Sequence, residues 1–161
     1  MHPHEQAWKP DSLQHLTKDA AEHLKAYMDT AAGLKVPRVI HGNAVVLWIV
    51  DEDGEIHVAM EELFHEKAGV LATVRPRADW VKIANTVKLG HPSLVEGDVK
   101  NARIGGEIVY DAGAARWEIN NFSGRFGMRK WQEKRHLEAV AGKFNTWNIH
   151  LYVKFRKPRE E

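Results

Sequence analysis

The chain has 161 residues, 43% of them hydrophobic and 28% charged, with a formal net charge of +1. That length supports one domain with a real core and leaves too little for two, and the composition excludes wholesale disorder. The absence of cysteine excludes disulfides and thiolate chemistry, the small net charge gives no overall drive toward nucleic acid, and no apolar run is long enough for a membrane span.

Residues 1–10 read as an irregular arm with two prolines, lacking the basic start and apolar stretch of a secretory signal. The expected location is cytoplasmic, or outside the cell by a route that needs no signal peptide. Asp11 or Ser12 then caps a helix whose Leu13, Leu16, Ala20, Leu24, Tyr27, Met28 and Ala31 share one face, with Gly33 as its stop. Val36 to His41 reads as a short edge strand. Ala44 to Val50 and Glu55 to Met60 form a hairpin around Asp51-Glu52-Asp53-Gly54, because Asp-Gly tolerates the positive φ of a tight reversal. Glu61 to Lys67 suggests a helical turn, and Val70 to Val74 a strand. Trp80, Ile83, Ala84 and Val87 suit a short helix.

Arg103 to Tyr110 and Arg116 to Asn121 form a second hairpin around Asp111-Ala112-Gly113. Met128 to Phe144 reads as a helix with Trp131, Leu137, Val140, Ala141 and Phe144 inward. Trp147 to Phe155 alternates like a closing strand, and residues 156–161 are a polar tail. The expected fold is a single α+β domain over 1–161. Its mainly antiparallel sheet comes from two hairpins and a C-terminal strand, flanked by N-terminal and C-terminal helices.

Polar chemistry concentrates between Leu89 and Phe126. Glu107 follows Gly105-Gly106, which let a backbone or ligand approach closely. Arg103, four residues earlier, falls on the same strand face and is expected to pair with it. Asn120, Asn121, Ser123, Gly124 and Arg125 form a polar turn. It either satisfies local backbone or holds an anionic or amide-bearing ligand on the Ser hydroxyl, Asn amide and Arg fork. His41-Gly42-Asn43 reads as a turn or as a contact for a ribose or diphosphate. The ten histidines show no zinc-ligand spacing, so no metal site is expected. Charge is uneven: residues 1–100 hold 11 Lys/Arg against 15 Asp/Glu, and residues 101–161 hold 12 against 7. A basic C-terminal surface suits a phosphate-bearing cofactor, an RNA or an acidic partner.

The order of these segments resembles a known module: strand, Asp-x-x-Gly turn and strand; then Gly90-His91-Pro92-Ser93-Leu94; then Ala102-Arg103-Ile104-Gly105-Gly106-Glu107, strand and turn; then Asn120 to Phe126. Such modules occur among bacterial polymorphic toxins and effectors, often closing on Asn-x-Ser-Gly-His-Tyr or Asn-x-Ser-Gly-Arg-Tyr. A looser version occurs in plant calmodulin-binding proteins that carry an IQ motif. Phe126 stands where the tyrosine would be, keeping the aromatic packing and losing the hydroxyl. The resemblance spans Val45 to Phe144 and is strongest from Gly90 to Phe126.

It implies a toxin- or effector-type domain. Some such modules transfer ADP-ribose from NAD to a macromolecule, orienting the nicotinamide ribose with a glutamate. By that analogy Glu107 and His91 are catalytic, NAD is the cofactor, and Arg103, Asn121, Ser123, Arg125 and His41 bind ligand. Two rival expectations remain open. One is a non-enzymatic immunity or adaptor protein that docks a protein partner through its basic C-terminal part. The other is an RNA-directed toxin using His41, His91 or His136 as proton carriers.

Overall fold

The structure, a computed structural model, describes residues 3–34, 45–72 and 85–158. The fold is α+β, as the sequence implies. The first elements are α1 (Pro3–Ala7), β1 (Gln14–His15), α2 (Lys18–Leu34), β2 (Val46–Val50) and β3 (Ile56–Met60). There follow β4 (Leu63–His65), β5 (Val70–Ala72), β6 (Thr86–Lys88) and a 3-10 turn (His91–Leu94). The chain continues through β7 (Ile104–Asp111), β8 (Arg116–Asn120), α3 (Lys134–Asn145) and β9 (Tyr152–Lys154). Among the described residues, no helix is long and apolar enough to cross a membrane.

The main sheet has the order β1-β3-β2-β7-β8-β9, and the second has the order β5-β4-β6. Every pair in both is antiparallel except β8–β9. Parallel neighbours cannot be joined by a tight turn, and the stretch from Asn121 to Leu151, which contains α3, makes the crossover.

β2 lies between both hairpins and is covered on both faces, which is why it reads Val-Leu-Trp-Ile-Val without polar alternation. On the first face Val46, Trp48 and Val50 join Ile108 and Ile119 beneath Leu24 and Met28 of α2 and Leu137, Val140 and Phe144 of α3. On the second face Leu47 and Ile49 pack with Ala59, Leu94, Val95 and Phe126. The two sets alternate along the strand, as the pleat demands.

Several expected elements take a different form. The arm is not irregular: it holds α1, and buried Glu5 accepts the Gly90 N–H at 3.0 Å. The first long helix starts at Lys18, not at Asp11 or Ser12, because those residues are held elsewhere. Their N–H groups each donate to the buried Glu62 carboxylate at 3.0 Å. The Ser12 hydroxyl donates to it too and accepts the Met60 N–H at 2.8 Å. Thr17 becomes the cap, its hydroxyl accepting the Ala20 N–H at 3.4 Å, and α2 runs on through Gly33.

Residues 61–67 contain β4 rather than a helical turn, and Val87 lies in β6 rather than on a helix. The expected strand Val36 to His41, and Thr73, Val74, Trp80, Ile83 and Ala84, lie outside the described residues. The last helix begins at Lys134 instead of Met128, whose φ of +54° cannot enter a right-handed helix. Trp131 therefore faces outward, 58% exposed, and is not a core residue. The polar tail is tied at its first residue: the Arg156 N–H donates to Asn121 at 2.9 Å.

Gly106 marks the closest packing of the sheet. A Cβ built there would lie 1.8 Å from the Asn120 carbonyl oxygen, whereas one at Gly124 would meet nothing within 4 Å. Gly106→Ala should cost at least about 3 kcal/mol in urea denaturation, and Gly124→Ala should stay within about 0.5 kcal/mol of the parent.

Candidate functional site

The residues singled out in the sequence divide into a buried group and an exposed group. Glu107 is 6% exposed on β7, on the face that carries Leu47, which it opposes in register. Asn120, its partner on β8, accepts the Glu107 N–H at 3.0 Å and reaches the Glu107 carboxylate with its amide at 3.5 Å. The His91 ring donates from Nε2 to the Gly106 carbonyl at 2.8 Å, which brings the imidazole to the same stretch of β7. His91, Glu107 and Asn120 are thus gathered in the interior.

Arg103 does not join them. β7 starts one residue after it, and its exposed guanidinium donates to the Glu52 carbonyl at 2.5 Å. The expected Arg103–Glu107 pair is absent because the Arg103 side chain is held at the first hairpin turn and lines the hollow against α3, while Glu107 is buried on the face that carries Leu47. Arg125 is exposed, its carbonyl accepting from the Arg129 guanidinium. His41 lies outside the described residues.

The polar turn after β8 is bonded into backbone. The Asn120 carbonyl oxygen of its side chain also accepts the Phe122 N–H at 3.0 Å. Asn121, fully buried, clamps Arg156 through both amide ends, each at 2.9 Å. The Ser123 hydroxyl accepts the Phe126 N–H at 3.1 Å, and its carbonyl accepts the Gly127 N–H at 3.0 Å. These side chains replace the ladder that the chain gives up on leaving the sheet.

An Asp–His pair at the first hairpin escaped the sequence reading. Buried His57 sits with Nε2 2.7 Å from the Asp51 carboxylate, which also accepts the Asp53 and Glu55 N–H groups at 3.0 and 2.9 Å. The His15 ring packs on His57 with centroids 4.0 Å apart. The one available signal was a histidine at an inward position of β3, six residues after the turn aspartate. Burial pushes the Asp51 carboxyl up, but the bonds from His57 and from the turn backbone outweigh it and hold it below its ordinary value. Among the described residues His57 Nδ1 has no hydrogen-bond partner, while the bonds of Asp51 to His57 and to the turn N–H groups lock the two ends of the hairpin together.

Among the cavities that open on the described residues are three that are not lined by Glu107, His91, Asn121, Ser123 or Arg125. One, about 450 Å³, lies between α2 and the first face of the sheet, beside Leu24, Tyr27 and Met60. A second, about 600 Å³, lies against α3 and includes Arg103, Trp131 and His136. The third is an open groove of about 1160 Å³ beside β9.

The groove gathers charge from three separate segments. Arg116 comes from β8, Lys130 and Lys134 from the approach to α3 and its first turn, and Lys154 and Lys157 from β9 and the chain after it; Glu133 is the one carboxylate in its lining. Buried Glu118 fixes two of these cations, pairing with Arg116 at 3.1 Å and Lys154 at 3.7 Å. The Arg116 guanidinium also lies 3.4 Å over the Tyr152 ring. Sequence reasoning saw the basic C-terminal part but not Arg116, Lys154 or Lys157 as members of one surface. Among the described residues, no cluster of three or more His, Asp or Glu could hold a metal ion. The chain matches no protein-family model, no curated protein and no solved structure.

The Asp51 lock fixes the sign of one pH effect. Its depressed carboxyl stabilises the fold above the unfolded value of about 3.9, and that contribution is lost as pH falls through the lower folded value. Asp51→Asn should therefore lower stability at neutral pH by about 1–2 kcal/mol in chemical denaturation. It should also flatten the fall in melting temperature between neutral and strongly acid pH.

Proposed function

We propose that this domain is a non-enzymatic binding module that docks an acidic segment of a partner protein in the groove beside β9, as an adaptor or immunity protein would. The observation that carries this reading is the convergence of five cations from three segments on one groove with a single carboxylate in its lining, even though Glu118 pairs with Arg116 and Lys154 and Glu138 with Lys134. Among the described residues β9 ends the main sheet, so an extended acidic peptide could add to that edge while its side chains meet Lys154 and Lys157. The same lysines discourage self-pairing of the edge.

Transfer of ADP-ribose from NAD is less well supported. It requires a carboxylate open to the nicotinamide ribose, and Glu107 is buried and lines none of the three cavities. An RNA-directed activity would use the same cations, and the two ligands separate by experiment.

The test is fluorescence anisotropy with a short labelled peptide alternating glutamate and threonine, and with a uridine oligonucleotide of equal charge. The peptide should bind saturably, weaken steeply with salt, and lose at least tenfold in affinity in the Lys154→Glu/Lys157→Glu variant. No binding at low salt, an unaffected double variant, or tighter binding of the oligonucleotide overturns the proposal.

A further inference from the structure

We propose that the hollow against α3 is a separate binding site for a small aromatic carboxylate. Its volume, about 600 Å³, falls within the ~300–1,000 Å³ of small-molecule sites. The aliphatic part of its lining is Val50, Ala102, Ile104, Ala139 and Val140, which suits an apolar body. Trp131 supplies an aromatic wall. It stands edge-on to His136 with centroids 6.0 Å apart, and it keeps most of its surface open. An exposed indole beside an aliphatic floor is a surface on which a planar ring gains by stacking.

The polar groups of the hollow are chiefly donors. His136 Nδ1 accepts the Glu133 N–H at 2.8 Å, so the ring proton sits on Nε2 and is available to donate. Lys143 is anchored by donating to the Gly54 carbonyl at 2.8 Å, and Arg103 by donating to the Glu52 carbonyl. Each retains further N–H groups, and neither pairs with a carboxylate among the described residues. The acid in the lining, Glu52, accepts the Asn101 amide at 2.7 Å. Two cations held by backbone carbonyls at the edge of an apolar hollow favour a ligand that ends in an anion, and their anchoring lowers the cost of ordering them.

This site does not depend on the acidic-peptide reading, since it shares no lining residue with the groove beside β9. Its test uses the full chain, ¹⁵N-labelled, titrated with indole-3-acetate and followed by the backbone and indole N–H signals. Saturable shifts should centre on the Trp131 indole and the first turns of α3. Indole-3-acetamide should bind several-fold more weakly, and tryptamine, of opposite charge, more weakly still. Trp131→Ala removes an exposed side chain and should weaken binding at least tenfold, and Lys143→Met several-fold, while Trp147→Ala, outside the hollow, should leave it unchanged. Absence of saturable shifts, equal binding of tryptamine, or full affinity in Trp131→Ala overturns the assignment.

Discussion

The chain leaving β8 is pinned between two glycines. A Cβ at Gly106 would come within 2.9 Å of the Asn121 Cα and closer still to the Asn120 carbonyl, and a Cβ at Gly127 would lie 1.9 Å from the Asn121 carbonyl oxygen. Neither contact leaves room for a side chain, so the backbone at Asn120–Asn121 has one course. Everything C-terminal to it follows from that course. Asn121, held there, grips Arg156 and fixes the end of β9. Gly127 and the left-handed Met128 turn the chain toward Gln132 and α3. The parts of the groove and of the α3 hollow that come after β8 therefore follow a course set by two residues whose contribution is the absence of a Cβ.

That constraint accounts for the density of polar residues between Leu89 and Phe126. A chain that leaves a sheet and doubles back beneath cover exposes N–H and C=O groups that water cannot reach. Asn120, Asn121 and Ser123 supply the missing partners, and His91 caps the Gly106 carbonyl. Polar side chains clustered around paired glycines can thus mark a backbone crossing as readily as a ligand cleft. The residues best placed to meet a ligand are the long cations and the indole further on, where the backbone is already satisfied and the side chains project outward.

The first hairpin and the second were legible because each is local: two strand-forming runs joined by a short turn that starts on an aspartate and contains a glycine carry their own pairing. The inner face of α2 was legible for the same reason. The start of α2 was not, because Ser12 serves Glu62, fifty residues away, rather than its own helix. Glu5 and Gly90, 85 residues apart, are of the same kind. The Arg103–Glu107 pair was inferred from even spacing along a strand, and it failed because the Arg103 guanidinium is held by the Glu52 carbonyl, 51 residues earlier in the chain. The charge imbalance of the C-terminal part announced a basic surface. Only the parallel return of β9 alongside β8 brought Lys154 next to Glu118 and Arg116, and nothing in linear order encodes that crossover.

The groove and the hollow share one wall. Lys130, Gln132, Glu133 and Lys134 line the first, while Trp131 and His136 line the second. A shared wall could couple the two, but only if it has two arrangements to choose between. This one is tied at both ends. Buried Gln132 donates to the Phe126 carbonyl at 2.7 Å and accepts the Arg129 N–H at 3.2 Å. At the start of α3, the Glu133 side chain caps the His136 N–H while the His136 ring accepts the Glu133 N–H in return. A segment whose backbone and side chains satisfy one another in a single arrangement has little to gain by moving. If the groove and the hollow are occupied as proposed, each occupant meets a fixed surface, and the two binding free energies are expected to add.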